Sequence, residues 1–179
     1  MIRYGFLATI FLVADATRGG AQTAAGSSAV DDALFAAAAA DSGAAELALS
    51  RLGLERASDP ELKTFSSRMI EDHTALSKEL ASTAAAKQIA LPSAVGPCPR
   101  FTLQSLSGLS GEHFDKCYAE AQLAAHKEAV AAFTAESERG TDPDMKALAA
   151  KALPKLKEHL SMIKPIAMRY EKAEGPDSR

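Results

Sequence analysis

Apolar residues recur along four stretches of this chain at steps of three and four, the spacing that keeps them on one face of a helix. The stripe is cleanest from Leu62 through Phe65, Met69, His73, Leu76 and Leu80 to Ala84, on a helix predicted over 60 to about 87. Ahead of it, Phe35, Ala38, Ser42, Ala45 with Glu46, Leu49 and Gly53 mark the inward face of a helix over about 33–57. Beyond it, Phe114, Tyr118, Ala121 with Gln122, Ala125 with His126, Ala129 with Val130, and Phe133 mark a third, over about 112–139. Met145, Leu148, Ala152, Leu156, His159, Ile163, Ile166 and Tyr170 mark a fourth, over 143 to about 170. The start signals agree: Ser58-Asp59-Pro60 and Thr141-Asp142-Pro143 each set a capping aspartate before a proline suited to the first helical turn. Asp31 or Asp32 can cap the first helix. Pro154 and Pro165 fall inside the fourth and are expected to kink it or end it early. From Ile89 to Gly111 the pattern lapses among Pro92, Gly96, Pro97 and Pro99, which predicts a long connection with a short helical turn through Leu103, Leu106 and Leu109. The prediction is an all-α four-helix bundle over residues 33–170, with that long connection between helices two and three. No internal repeat, phosphate-binding glycine loop or nucleophile elbow is apparent.

Composition narrows the picture. At 179 residues the chain is one domain with a leader and tails, and 47% hydrophobic with 24% charged residues excludes a disordered acidic chain and a membrane bundle. A net charge of -3, 6% aromatics and no Trp argue against a nucleic-acid partner, which needs a basic face or stacking rings. Arg3, the uncharged run Tyr4 to Ala14, and the small-residue signals Ala14-Asp15-Ala16 and Gly19-Gly20-Ala21 have the layout of a secretory signal peptide over 1–21. The run is shorter than the roughly 20 residues that span a bilayer, and no other stretch approaches that length. The expectation is therefore a soluble periplasmic or secreted product, with a spacer over 22–32 and a disordered tail over 171–179; an uncleaved anchor is the alternative. In an oxidising compartment Cys98 and Cys117 suggest one disulfide, against the alternative of two separate thiols.

The candidate chemistry lies in the histidines. His73, His126 and His159 fall on or beside inward stripes of three different helices, and Glu46 occupies the same kind of position on the first. Glu46 and His73 lie roughly 20 Å from the first tight turn, and His126 and His159 roughly 25 Å from the second, at 1.5 Å per residue. All four thus sit near mid-helix. Three imidazoles and a carboxylate converging in an apolar bundle would bind one zinc, copper or iron ion. Met69 and Met162 lie a turn from His73 and His159, where thioether sulfur would favour copper(I), and Gln122 and Tyr118 are hydrogen-bonding neighbours for His126. Asp72 and Glu158, each adjacent to a histidine, are expected to point sideways and to be poor co-ligands. The competing reading is neutral core histidines satisfied by Glu46, Gln122 or Tyr118. There is no paired Glu-x-x-His motif of the di-iron bundles, and no nucleophile or acid–base pair that would mark an enzyme.

Several blocks together resemble a known family. Glu46, Ser58-Asp59-Pro60-Glu61, Phe65-Ser66-x-x-Met69-Ile70-x-Asp72-His73-Thr74, Ser110-Gly111-x-x-Phe114-Asp115-x-x-Tyr118, His126 and Leu153-Pro154-x-Leu156-x-x-His159-Leu160 are similar to a secreted bacterial domain of unknown function of the type often labelled outer membrane protein. The resemblance implies a ferritin-like fold, export and no established activity. The membrane label itself finds no alternating barrel strands in this sequence. Two functions follow: an exported ferritin-like module that binds one metal ion for sequestration or stress-related handling, or a metal-free structural or interaction bundle of the cell envelope. A protein partner is not specified by either, and a homo-oligomer is compatible with both.

Overall fold

The computed structural model describes residues 28–173, so the leader, its cleavage signals and residues 174–179 lie outside the described part. Five helices account for it: α1 (Asp32–Arg56), α2 (Pro60–Ala86), α3 (Pro97–Ser107), α4 (Gly111–Arg139) and α5 (Pro143–Ala173). Among the described residues there is no strand, and no helix is long and apolar enough to cross a membrane. The caps act as their residue types require: Asp31 accepts from the N–H groups of Ala33 and Leu34, and Asp59 from that of Glu61 ahead of an α2 that begins with Pro60.

α1 and α2 form one antiparallel hairpin, and α4 and α5 the other; α2 packs on α5, and α1 on α4. Two apolar clusters fill the ends. One joins Leu49, Leu62, Phe65, Phe114, Tyr118 and Ile163; the other joins Phe35, Leu80, Phe133, Met145 and Leu148. Since the first cluster takes the end of α1 and the start of α4, the two tight turns lie at opposite ends. Residues 87–110 therefore run the length of the bundle, and α2 and α4 are parallel. α3 is the ordered part of that crossing, a helix of 11 residues rather than a single turn, resting on α1 and α4 with Leu106 buried.

Two expectations need correction. Of the two outcomes expected at Pro154 and Pro165, a kink or an early end, the early end is overturned: α5 continues through both to Ala173. Both prolines are exposed, as are Ala150 and Ser161, whose carbonyls the prolines leave without a helical donor, so water can satisfy them. Cys98 and Cys117 are not joined in a disulfide; both are thiols. Cys98 stands exposed in the first turn of α3, bordering a groove whose α4 wall is Ala121, Ala124, Ala125 and Glu128, whereas Cys117 packs toward the Leu49–Ile163 cluster. α3 thus carries Cys98 along α4 past the level of Cys117.

The two hairpins are also related to each other, which the residue identities conceal. The shift along the chain that carries Ser58-Asp59-Pro60 onto Thr141-Asp142-Pro143 also carries Asp32 onto Asp115. It carries the buried Phe35, Ala36, Leu62, Phe65, Leu80 and Ala84 onto the buried Tyr118, Ala119, Met145, Leu148, Ile163 and Ala167. Contacts follow the same relation. Asp115 accepts from the N–H groups of Ser58 (2.9 Å) and Asp59 (3.0 Å) and from the Ser58 hydroxyl. Asp32 accepts from those of Thr141 (2.9 Å) and Asp142 (3.1 Å) and from the Thr141 hydroxyl. Each hairpin's first helix thereby closes the turn of the other. The turn aspartates reach onward in matching fashion, Asp59 accepting from Tyr170 and Asp142 pairing with Lys87, two positions that the shift also equates. The bundle is an approximate two-fold duplicate.

Candidate metal centre

A polar layer separates the two apolar clusters. His73 on α2 lies between Met69 of one cluster and Leu80 of the other; His126 on α4 lies between Ala119 and Phe133, His159 on α5 between Leu156 and Ile163, and Glu46 on α1 between Ala36 and Leu49. All four are buried, none more than 4% exposed. Among the described residues, ligand atoms of His73, His126 and His159 all lie within 4.8 Å of one another, and the ring centroids are 5.4 to 5.8 Å apart. Nitrogens bound to one tetrahedral zinc at about 2.05 Å stand roughly 3.3 Å apart. Closing the triad on an ion thus needs side-chain adjustments on the order of 1 Å.

The hydrogen bonds around the rings leave one nitrogen of each available. The Nδ1–H of His126 donates to the backbone carbonyl of Gln122 at 2.9 Å, and its Nε2 has no partner. The Nε2–H of His159 donates to Oδ2 of Asp72 at 2.9 Å, and its Nδ1 has no partner. Nε2 of His73 is likewise without one. A ring nitrogen tied to a carbonyl or carboxylate fixes the tautomer and frees the opposite lone pair, the arrangement that metal-binding histidines use.

Electrostatics keep those lone pairs unprotonated. Burial, then the neighbouring His126 and His159, pushes His73 down to about 3. Burial pushes His126 down to about 4 against the Gln122 carbonyl, and lowers His159 against the pull of Asp72. The triad is neutral at pH 7 and needs to lose no proton to bind a cation. Burial opposes the charge of Asp72, but the hydrogen bonds from His159 and from Arg68 outweigh it and hold its carboxyl below the ordinary range.

Asp72 is the residue that sequence reasoning undervalued. It does point sideways from His73, about 100° around α2, but sideways faces α5, where it orients His159. Glu46 is placed differently from the three imidazoles. It lies outside the group within 4.8 Å, with Oε1 3.9 Å from the already engaged Nδ1 of His126 and Oε2 unpartnered. Burial raises its carboxyl to about 8, the Gln122 side chain working the other way. Gln122 supports His126 through its main chain, while its amide donates to the Tyr118 hydroxyl at 3.4 Å; that hydroxyl also meets Ser66 at 2.8 Å. Met69 and Met162 pack with the apolar cluster around Phe65 and Ile163. Glu158 is on the surface, paired with Lys155. His113 is exposed at the start of α4.

In fold, the chain is similar to a crystal structure of a DUF305 fragment from Deinococcus radiodurans, with a TM-score of 0.68 over 80% of this chain and 99% of that one at 14% identity. At that identity the likeness concerns the fold alone. No curated protein matches the sequence. The family model described as "Domain of unknown function (DUF4142)" matches residues 17–166, and with most of its length covered the chain belongs to that family.

Proposed function

We propose that this protein binds one transition-metal ion through His73, His126 and His159, as an exported, ferritin-like module that sequesters metal or handles it under stress. The observation that carries the reading is the set of three buried ring nitrogens, one per histidine, that have no hydrogen-bond partner while the three rings converge. Leaving a buried polar group unsatisfied costs roughly 1–3 kcal/mol. A purely structural cluster would bear that cost three times in one layer, whereas an ion removes it. An all-imidazole set suits zinc and copper(II) better than iron, and Glu46, with Oε1 3.9 Å from the engaged Nδ1 of His126, stands beside the ligand set. Asp72 supplies the carboxylate that orients one ligand.

The test is a melting curve of the full chain with zinc, then copper, alongside elemental analysis of protein isolated from its native compartment. One equivalent of metal and a stabilisation of about 2.7 kcal/mol at a hundredfold excess over Kd are expected. Both disappear in a His73→Ala/His159→Ala double variant. Unchanged melting with every metal favours the metal-free structural bundle.

A further inference from the structure

We propose that an ion held by the three histidines keeps one coordination position open to a pocket between α2 and α5, and that this position takes a small monodentate anion from solution. The inference rests on the metal-binding reading above and specifies what the centre binds next. Three protein ligands on a tetrahedral ion leave a fourth place, the mark of an exchangeable centre rather than a closed structural one. A cavity of about 160 Å³ adjoins two of the three rings: His73 and His159 are part of its wall, while His126 is not. The cavity therefore reaches the triad from the α2–α5 side.

Its other walls are Leu76, Leu148 and Leu156 together with Asp72, whose carboxylate holds His159 and lies 3.8 Å from Lys155; at the rim Lys151 pairs with Glu79 at 2.8 Å and Lys155 with Glu158 at 3.1 Å. That volume has room for a ligand of several heavy atoms beside the rings. Three neutral imidazoles leave a divalent ion its full double charge, and beside leucine walls that charge attracts an anion more strongly than in water. The carboxylate in the wall nearest the rings, that of Asp72, is already committed. Asp72 is engaged by His159 and Arg68, and Glu46 faces the opposite side of His126 from this cavity, lining the α1–α4 groove instead.

Cobalt(II) in place of zinc gives the site a visible spectrum, and azide is the probe anion. Titrating the cobalt-loaded full chain with azide should shift the visible bands and saturate at one azide per cobalt. Ala75 lies on the same wall at an exposed helical position, so Ala75→Phe narrows the pocket without touching a ligand. It should take up the same amount of cobalt and bind azide about tenfold more weakly or worse; should it lose its helical circular dichroism, Ala75→Leu serves the same purpose. A cobalt spectrum indifferent to azide, or a narrowed pocket that responds like the parent, overturns the proposal. Failure of the parent to bind cobalt is a different result, which overturns the histidine centre itself and this inference with it.

Discussion

The hairpin of α1 and α2 and the hairpin of α4 and α5 share their turns, their crossed aspartates and most buried positions, yet contribute unequally to the polar layer. The shift that superimposes them carries His73 onto Leu156, His159 back onto Leu76, His126 back onto Gly43, and Glu46 onto Ala129. No histidine of the triad has a histidine counterpart. The ends differ in a compensating way. Gly53 leaves room for Tyr118, since a Cβ there would lie 2.4 Å from its ring, whereas the counterpart of Gly53 is the buried Glu136 and that of Tyr118 is Phe35, which carries no hydroxyl. Gly140 in turn admits Glu136, whose carboxyl oxygen lies 2.4 Å from where a Cβ would stand. The packing frame thus obeys the two-fold, and the groups with chemistry depart from it. The three imidazoles, one from the first hairpin and two from the second, are where the two halves differ most in chemistry.

The largest expected effect separates the two crossed aspartates. Asp115 is 2% exposed and Asp32 only half-buried, though each closes a turn with the same three donors. Asp115→Ala should cost about 3 kcal/mol in urea denaturation and Asp32→Ala about 1 kcal/mol, because orphaned donors recover water only at the open turn. Equal losses would show that burial is not what distinguishes the hairpins. A smaller effect, of opposite sign, is expected when the symmetry is restored at the site. His73→Leu copies Leu156 and removes an unpartnered buried nitrogen, so the metal-free protein should gain about 1 kcal/mol while losing its stabilisation by zinc. A variant that melts lower without metal would mean that His73 is part of the frame after all.

A further effect is one of pH and belongs to Glu136. Burial, then the adjoining Asp32 carboxylate, raises its carboxyl to about 7, above the ordinary 4.5. The folded chain then holds a proton that the unfolded chain has released, so this contribution to stability is complete below pH 4.5 and is lost as pH rises toward 7. The difference in stability between the parent and Glu136→Gln should therefore narrow or reverse toward the variant across that window. A flat difference would assign Glu136 no such role.

Four long helices could be read directly because each inward stripe lasts about five turns or more and because the proline-headed caps fix where α2 and α5 begin. The connection was legible only as an interruption. Its prolines signal the end of α2, but an 11-residue helix starting at Pro97 gains its stability from packing on α1 and α4, which no local pattern encodes. The expected disulfide rested on compartment and cysteine count, and α3 carries Cys98 to a different level of α4 from Cys117. For the site, spacing put His73, His126 and His159 on inward faces at mid-depth, as the helices place them. The partnership of Asp72 with His159 crosses from α2 to α5, and the two-fold relation of the hairpins is carried by burial and contacts between dissimilar side chains.

The sequence by itself determined which residues face inward, since a helix turns about 100° per residue whatever surrounds it, and so it determined that three imidazoles would be buried near mid-bundle. Which nitrogen of each ring is engaged, that Glu46 stands behind His126 and outside the triad, and that a pocket opens beside His73 and His159 were decided only when four helices packed. Those facts depend on the rotation and offset of each helix against its neighbours, and these are settled by side chains distant in the chain meeting in space.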